Sequence, residues 1–149
     1  MLYETFLVGV VLAVLFTELT DLYPGGIIVP AYFALYLNEP LRLLGTVLIA
    51  GLSLMLYRFL SRYFILFGKR RFVIFILLGA LLSQIWILVL PQLLPSLSGF
   101  PILGWVIPGL LANNLEKQRL LPTLASLFTV AVLTYSLVRV LNYFFLGGV

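Results

Sequence analysis

Apolar residues run along this chain in long blocks that charge hardly interrupts, and no stretch alternates polar with apolar over a strand's length. Residues 5–17 lie uncharged between Glu4 and Glu18, which predicts a first membrane helix ending near Leu19. Leu43 to Tyr57 begins a second long helix, 72–90 a third, and Leu121 to Phe145 a last one. Between the long blocks lie two stretches of another kind. Tyr23-Pro24-Gly25-Gly26-Ile27-Ile28-Val29-Pro30-Ala31-Tyr32-Phe33-Ala34 is followed later by Pro101-Ile102-Leu103-Gly104-Trp105-Val106-Ile107-Pro108-Gly109-Leu110-Leu111-Ala112. Laying Pro30 on Pro108 places Gly26 on Gly104, Val29 on Ile107 and Ala34 on Ala112. A glycine, a few apolar residues and a proline cannot lie mid-helix, because proline lacks the donor and biases its predecessor towards extended backbone. Each copy therefore predicts a short extended segment and then a helix starting at Pro30 or Pro108.

The pattern implies an all-α, polytopic membrane protein in a single membrane domain, 1–149. It is read as two internal repeats of long helix, broken short element, long helix: about 1–72 and about 73–149. The helical part from Pro30 to Leu37 is only about 12 Å long, too short to cross about 30 Å of hydrocarbon by itself. Re-entrant short elements give four crossings and parallel repeats; crossing ones give six, inverted repeats and both termini outside. The bases favour six and the element lengths favour four. Non-helical backbone at membrane depth has to be buried in protein or line water. Gly25, Gly26, Pro30, Gly104, Pro108, Gly109 and Asn113 are thus candidates for a polar path, with close helix packing the competing explanation for the glycines.

Composition sharpens this. Of the 149 residues 63% are hydrophobic and 9% charged, and the mean hydropathy is +1.20, far from a soluble domain. The first helix has no basic leader and no small-residue cleavage site, so it reads as retained. Five of the nine bases, Arg58, Arg62, Lys69, Arg70 and Arg71, fall between 58 and 71 with no acid among them. The positive-inside rule makes this the cytoplasmic segment, suited to anionic lipid or to a cytosolic partner. Arg58, Arg62 and Lys69 share one face if the helix persists. Glu18 and Asp21, three apart at the end of the first helix, and Arg139, inside the last apolar run, are candidate gating or polar contacts; terminal acids and a snorkelling arginine are the plainer readings.

Zero Cys and zero His exclude thiol nucleophiles, disulfides, imidazole bases and the commonest metal ligands. No glycine-rich phosphate loop followed by Lys-Ser/Thr is present. We expect no catalytic set, no metal site, no cofactor and no nucleic-acid partner.

The chain resembles the poly-γ-glutamate capsule biosynthesis protein C (PgsC/CapC) family over most of its length. The resemblance is carried by Pro24-x-Gly26-x-x-Val29-Pro30-x-Tyr32-x-Ala34-Leu35, Asn38-x-Pro40, Ile65-Leu66-Phe67-Gly68-Lys69-Arg70-Arg71-Phe72 and Val106-Ile107-Pro108-Gly109-Leu110-Leu111-Ala112-Asn113 with Gln118 after it. Ala31, Asn114 and Leu120 depart from the pattern, Ala31 standing where the family has glycine. The resemblance implies a non-catalytic, multi-pass subunit in the bacterial plasma membrane, within a complex that polymerises and exports poly-γ-glutamate. Its implied partners are membrane lipids, a cytosolic ATP-dependent amide ligase, an extracytoplasmic capsule synthesis subunit, the polymer and further copies of itself. A purely structural scaffold and a stand-alone small-molecule transporter with duplicated repeats are the alternatives.

Overall fold

The computed structural model describes residues 2–97, 102–145 and 147. Residues 98–101, which end the Pro/Ser-rich connection and include Pro101 of the second motif copy, lie outside them. The described chain is helical throughout: α1 (Leu2–Thr20), α2 (Val29–Leu35), α3 (Pro40–Leu60), α4 (Lys69–Leu93), α5 (Ile107–Lys117) and α6 (Leu120–Phe145), with a 3-10 turn at Pro95–Leu97. No strand occurs among the described residues. α1, α3, α4 and α6 are long and apolar enough to cross a membrane.

The breaks differ in detail from a simple extended segment. Gly25 (φ 77°), Gly26 (φ 105°) and Gly104 (φ 61°) occupy the left-handed region, where a side chain is strained and glycine is not. Gly25 N–H donates to Tyr23 C=O at 2.8 Å and Gly104 N–H to Ile102 C=O at 3.0 Å, so both segments bend tightly. Ile28 is already right-handed helical (φ −86°, ψ −37°), and the prolines take the second helical position. The glycines, rather than the pre-proline residues, make the break.

The chain divides into two compact units, 1–38 with 118–149 and 39–117. The first contains α1, α2 and α6. Thr5, Gly9 and Ala13, one every fourth residue, form the buried face of α1. A methyl group placed on Gly9 would lie 2.8 Å from both Cα and Cβ of Ala31, so α1 and α2 touch backbone to backbone there. Phe33 is fully buried and meets Phe128 of α6 edge-on, ring centroids 6.0 Å apart. Phe6 meets Tyr32 likewise at 5.7 Å.

The second unit contains α3, α4 and α5. Phe75, Gly79 and Ser83 form the buried face of α4 with the same four-residue spacing. A methyl on Gly79 would lie 2.5 Å from Gly109 N and 2.7 Å from Gly109 Cα. In lipid, helices gain no hydrophobic advantage from touching each other, so such small-residue contacts supply the van der Waals packing that holds them together. Tyr57 and Phe75 stack with centroids 4.2 Å apart.

Burial also follows a common spacing on α3 and α6. Thr46, Ile49, Ala50, Ser53, Leu54 and Tyr57 are buried on α3; 77 positions on, Thr123, Ser126, Leu127, Val130, Ala131 and Thr134 are buried on α6. Thr46 Oγ1 donates to Arg42 C=O at 2.8 Å and Thr123 Oγ1 to Arg119 C=O at 2.9 Å. α3, which follows the short helix α2 in the chain, thus packs in the compact unit that holds α5, and α6, which follows α5, packs in the unit that holds α2.

Candidate functional site: two broken helices and their polar ends

In the first unit Pro24, Gly25 and Pro30 are buried and Gly26 is half-buried. In the second, Pro108 and Gly109 are buried and Gly104 is exposed. The second break has an anchor that sequence reasoning missed. Thr46 Oγ1, fully buried, accepts the Leu103 N–H at 3.0 Å while giving its own proton to Arg42 C=O. One hydroxyl therefore satisfies a buried backbone donor in a segment with no helical partner for it. The signal was available: Arg42-Leu43-Leu44-Gly45-Thr46 reappears as Arg119-Leu120-Leu121-Pro122-Thr123.

Asn113, on α5, is 5% exposed, and its Oδ1 has no hydrogen-bond partner among the described residues. Ser53 Oγ on α3 is in the same state. Otherwise the buried polar residues among those described carry hydroxyls; no Asp, Glu, Lys or Arg is buried as a whole residue, though Nε of Arg42 and of Arg71 is.

The basic segment does not form one stripe. α3 stops at Leu60 and α4 restarts at Lys69 after Gly68 (φ 63°), so Arg58, Arg62 and Lys69 belong to a helix, a turn and another helix. Arg58 Nε pairs with Glu116 at the end of α5, 3.3 Å away. Arg71, half-buried, shares a cavity of about 390 Å3 with Tyr57, Ser61, the loop 64–67 and Glu116. Tyr57 O–H donates to Leu66 C=O at 3.1 Å, tying that loop to α3. Lys69 and Arg70 edge an open, apolar groove lined by Tyr63, Phe64, Val73 and Ile74.

At α1 the two acids part company. The helix ends at Thr20, and Asp21 turns into the left-handed region (φ 55°) with its N–H on Thr17 C=O. Both Glu18 and Asp21 are exposed. The structure places Arg139 six residues before the end of α6 with its guanidinium 5.2 Å from the Tyr135 ring centroid. Tyr135 O–H lies 3.3 Å from Asn38 Oδ1, to which it donates. Tyr135, Asn38 and Asn142, which the sequence pattern does not mark as site residues, join Arg139 around a cavity of about 370 Å3.

These two polar ends fix the direction of the chain within each unit. The first cavity combines Leu2 and Thr5 from the start of α1 with Ala34, Leu35 and Asn38 around the end of α2, so the short helix returns the chain to the end from which α1 set out. In the second unit the loop 64–67 and Arg71, at the start of α4, meet Glu116, at the end of α5.

A family model described as "Capsule biosynthesis CapC" matches residues 8–124. The chain belongs to this family. It is 31% identical over 140 residues to the "PGA biosynthesis protein CapC" of Bacillus subtilis (strain 168), covering 93% of this chain and 94% of that one. It is 30% identical over 144 residues to the "Capsule biosynthesis protein CapC" of Bacillus anthracis, covering 96% of this chain and 97% of that one. No solved structure matches. In this CapC-family chain Ala31 stands opposite Gly9, so the methyl group at Ala31 is accommodated by the absence of one on α1 and the close approach is kept.

Proposed function

We propose that this CapC-family chain is the multi-pass membrane subunit of a bacterial poly-γ-glutamate synthase, anchoring the cytosolic amide ligase and passing the polymer outward. The supporting observation is the set of buried polar residues among those described: hydroxyls and one carboxamide, Asn113, with an unpartnered oxygen, and no acid or base. Such an interior suits passage better than catalysis. A polyanion moving past fixed lysines and arginines would be held, whereas neutral donors interact with each carboxylate weakly. The broken segments add bare backbone at Gly25, Gly26 and Gly104, whereas the backbone of Gly109 is taken up by its contact with α4; Pro30 and Pro108 remove one donor each.

The direction of the chain within each unit supports six passes. If α3 carries the chain from outside at Pro40 to inside at Leu60, the return of α5 to the start of α4 puts Lys117 and Arg119 inside with 58–71. That places seven of the nine bases on the cytoplasmic side. The matching burial on α1 and α4, α2 and α5, and α3 and α6 supports a duplicated unit whose third helices have been exchanged.

On this reading Lys69, Arg70 and Arg71 form the ligase-facing surface, one sign of charge setting approach and register. Cells producing the ligase and the extracytoplasmic subunit with this chain should make and secrete poly-γ-glutamate, and the ligase should co-purify with it. R70E/R71E should cut ligase recovery at least about tenfold, the scale of a lost charged contact, while membrane insertion, read by protease protection, stays intact. Undiminished recovery would refute the docking assignment.

A further inference from the structure

We infer that the open cavity edged by the exposed Asn38 and Arg139 and the half-buried Tyr135 and Asn142 is a binding site for a carboxylate-bearing secondary amide, such as one unit of a side-chain-linked glutamyl chain. The ligand's identity rests on the proposed function; the site's chemistry does not. Its lining, completed by Leu2, Thr5, Ala34, Leu35 and Val138, contains one cation and no carboxylate among the described residues. Arg139 has no ion-pair partner among the described residues, and a guanidinium stays charged and binds carboxylates through two parallel donors. The Tyr135 ring 5.2 Å from it restrains the guanidinium before any ligand arrives. Tyr135 in turn donates to Asn38 Oδ1, which orients that carboxamide and leaves its two amide hydrogens for an acceptor. Asn142 lies one turn beyond Arg139 on α6 and offers a donor and an acceptor, the complement of a secondary amide. A volume of about 370 Å3 takes a single such unit.

The cavity lies where α1 starts and α6 ends, which is the extracytoplasmic end in the six-pass arrangement. A carboxylate site there catches emerging chain and opposes its return. Glu4 lines an adjoining cavity that shares Val138 and Asn142 with this one, and its negative charge opposes an anionic ligand rather than holding it.

The test uses the full chain in nanodiscs of phosphatidylcholine, titrated calorimetrically with short γ-linked glutamate oligomers. Wild type should bind, R139Q should bind about tenfold or more weakly, R139K should retain part of the affinity, and E4Q should bind as well as wild type or better. Unchanged affinity in R139Q, with its helical content and melting temperature intact, would overturn the inference, as would absence of binding to the wild type. So would competition by phosphatidylglycerol that abolishes oligomer binding, since the site would then be a lipid-headgroup site. These outcomes are distinct from failure of the proposed function, which is read from ligase co-purification and polymer production.

Discussion

The two compact units share a plan and differ at two points, where the helices touch and what closes the polar end. α1 meets α2 through Gly9 and Ala31, and α4 meets α5 through Gly79 and Gly109. One contact already contains a methyl group and the other is bare backbone on both sides. At the ends, the Tyr135 phenol meets the Asn38 carboxamide in one unit, and the Arg58 guanidinium meets the Glu116 carboxylate in the other. One unit thus presents a cavity with a single described cation and no carboxylate, and the other a charge-paired, base-rich surface. Tolerance to substitution should follow the first difference, and partner chemistry the second.

The largest effect should come from the tighter contact. G79V should lose about 3 kcal/mol or more, the upper range for overpacking, because the added atoms meet backbone that cannot rotate away. G9V should cost less, about 1–3 kcal/mol, and A31G combined with it should recover part of the loss. Melting temperatures in detergent would show this, and equal losses for the two single variants would remove the distinction between the contacts. T46V comes next. It leaves the Leu103 N–H buried without a partner and should cost about 1–3 kcal/mol. Its counterpart T123V removes only a hydroxyl bonded to the carbonyl of Arg119, four residues earlier, and should cost less in the same melts. The smallest effect belongs to the Arg58–Glu116 pair, which is two-thirds exposed on the arginine side. E116Q should change stability by under about 1 kcal/mol.

The long helices were legible because lipid and core impose the same uninterrupted apolarity. For the same reason their partners were not legible: apolar periodicity does not distinguish a face on lipid from one on another helix, so the packing of α3 with α4 and α5 could not be read from blocks and breaks. Polar residues held that information. The recurrence of Arg-Leu-Leu-x-Thr marks the two buried threonines, yet without the hydroxyl's contact to Leu103 it looks like any helix start. Helix ends shifted for local reasons: α3 begins at Pro40, where proline serves as a first residue, and α4 runs through Pro91 to Leu93 near its own end. Of the candidate residues, Asn113 stands out directly after the repeated motif, whereas Tyr135 and Asn142 sit in a run whose composition gives no hint of a cavity.

The most direct test of the account replaces Gly104 with valine in cells that produce the whole synthase, and measures polymer on each side of the membrane. The position is exposed and a Cβ there meets nothing closer than 3.9 Å, so a loss would come from the positive φ that the break requires rather than from crowding. G104V, and G26V by the same strain, should leave polymer synthesis from glutamate and ATP running while secreted poly-γ-glutamate falls and the intracellular fraction rises. Normal secretion by variants that assemble with the ligase would contradict the assignment of the broken helices to the polymer path.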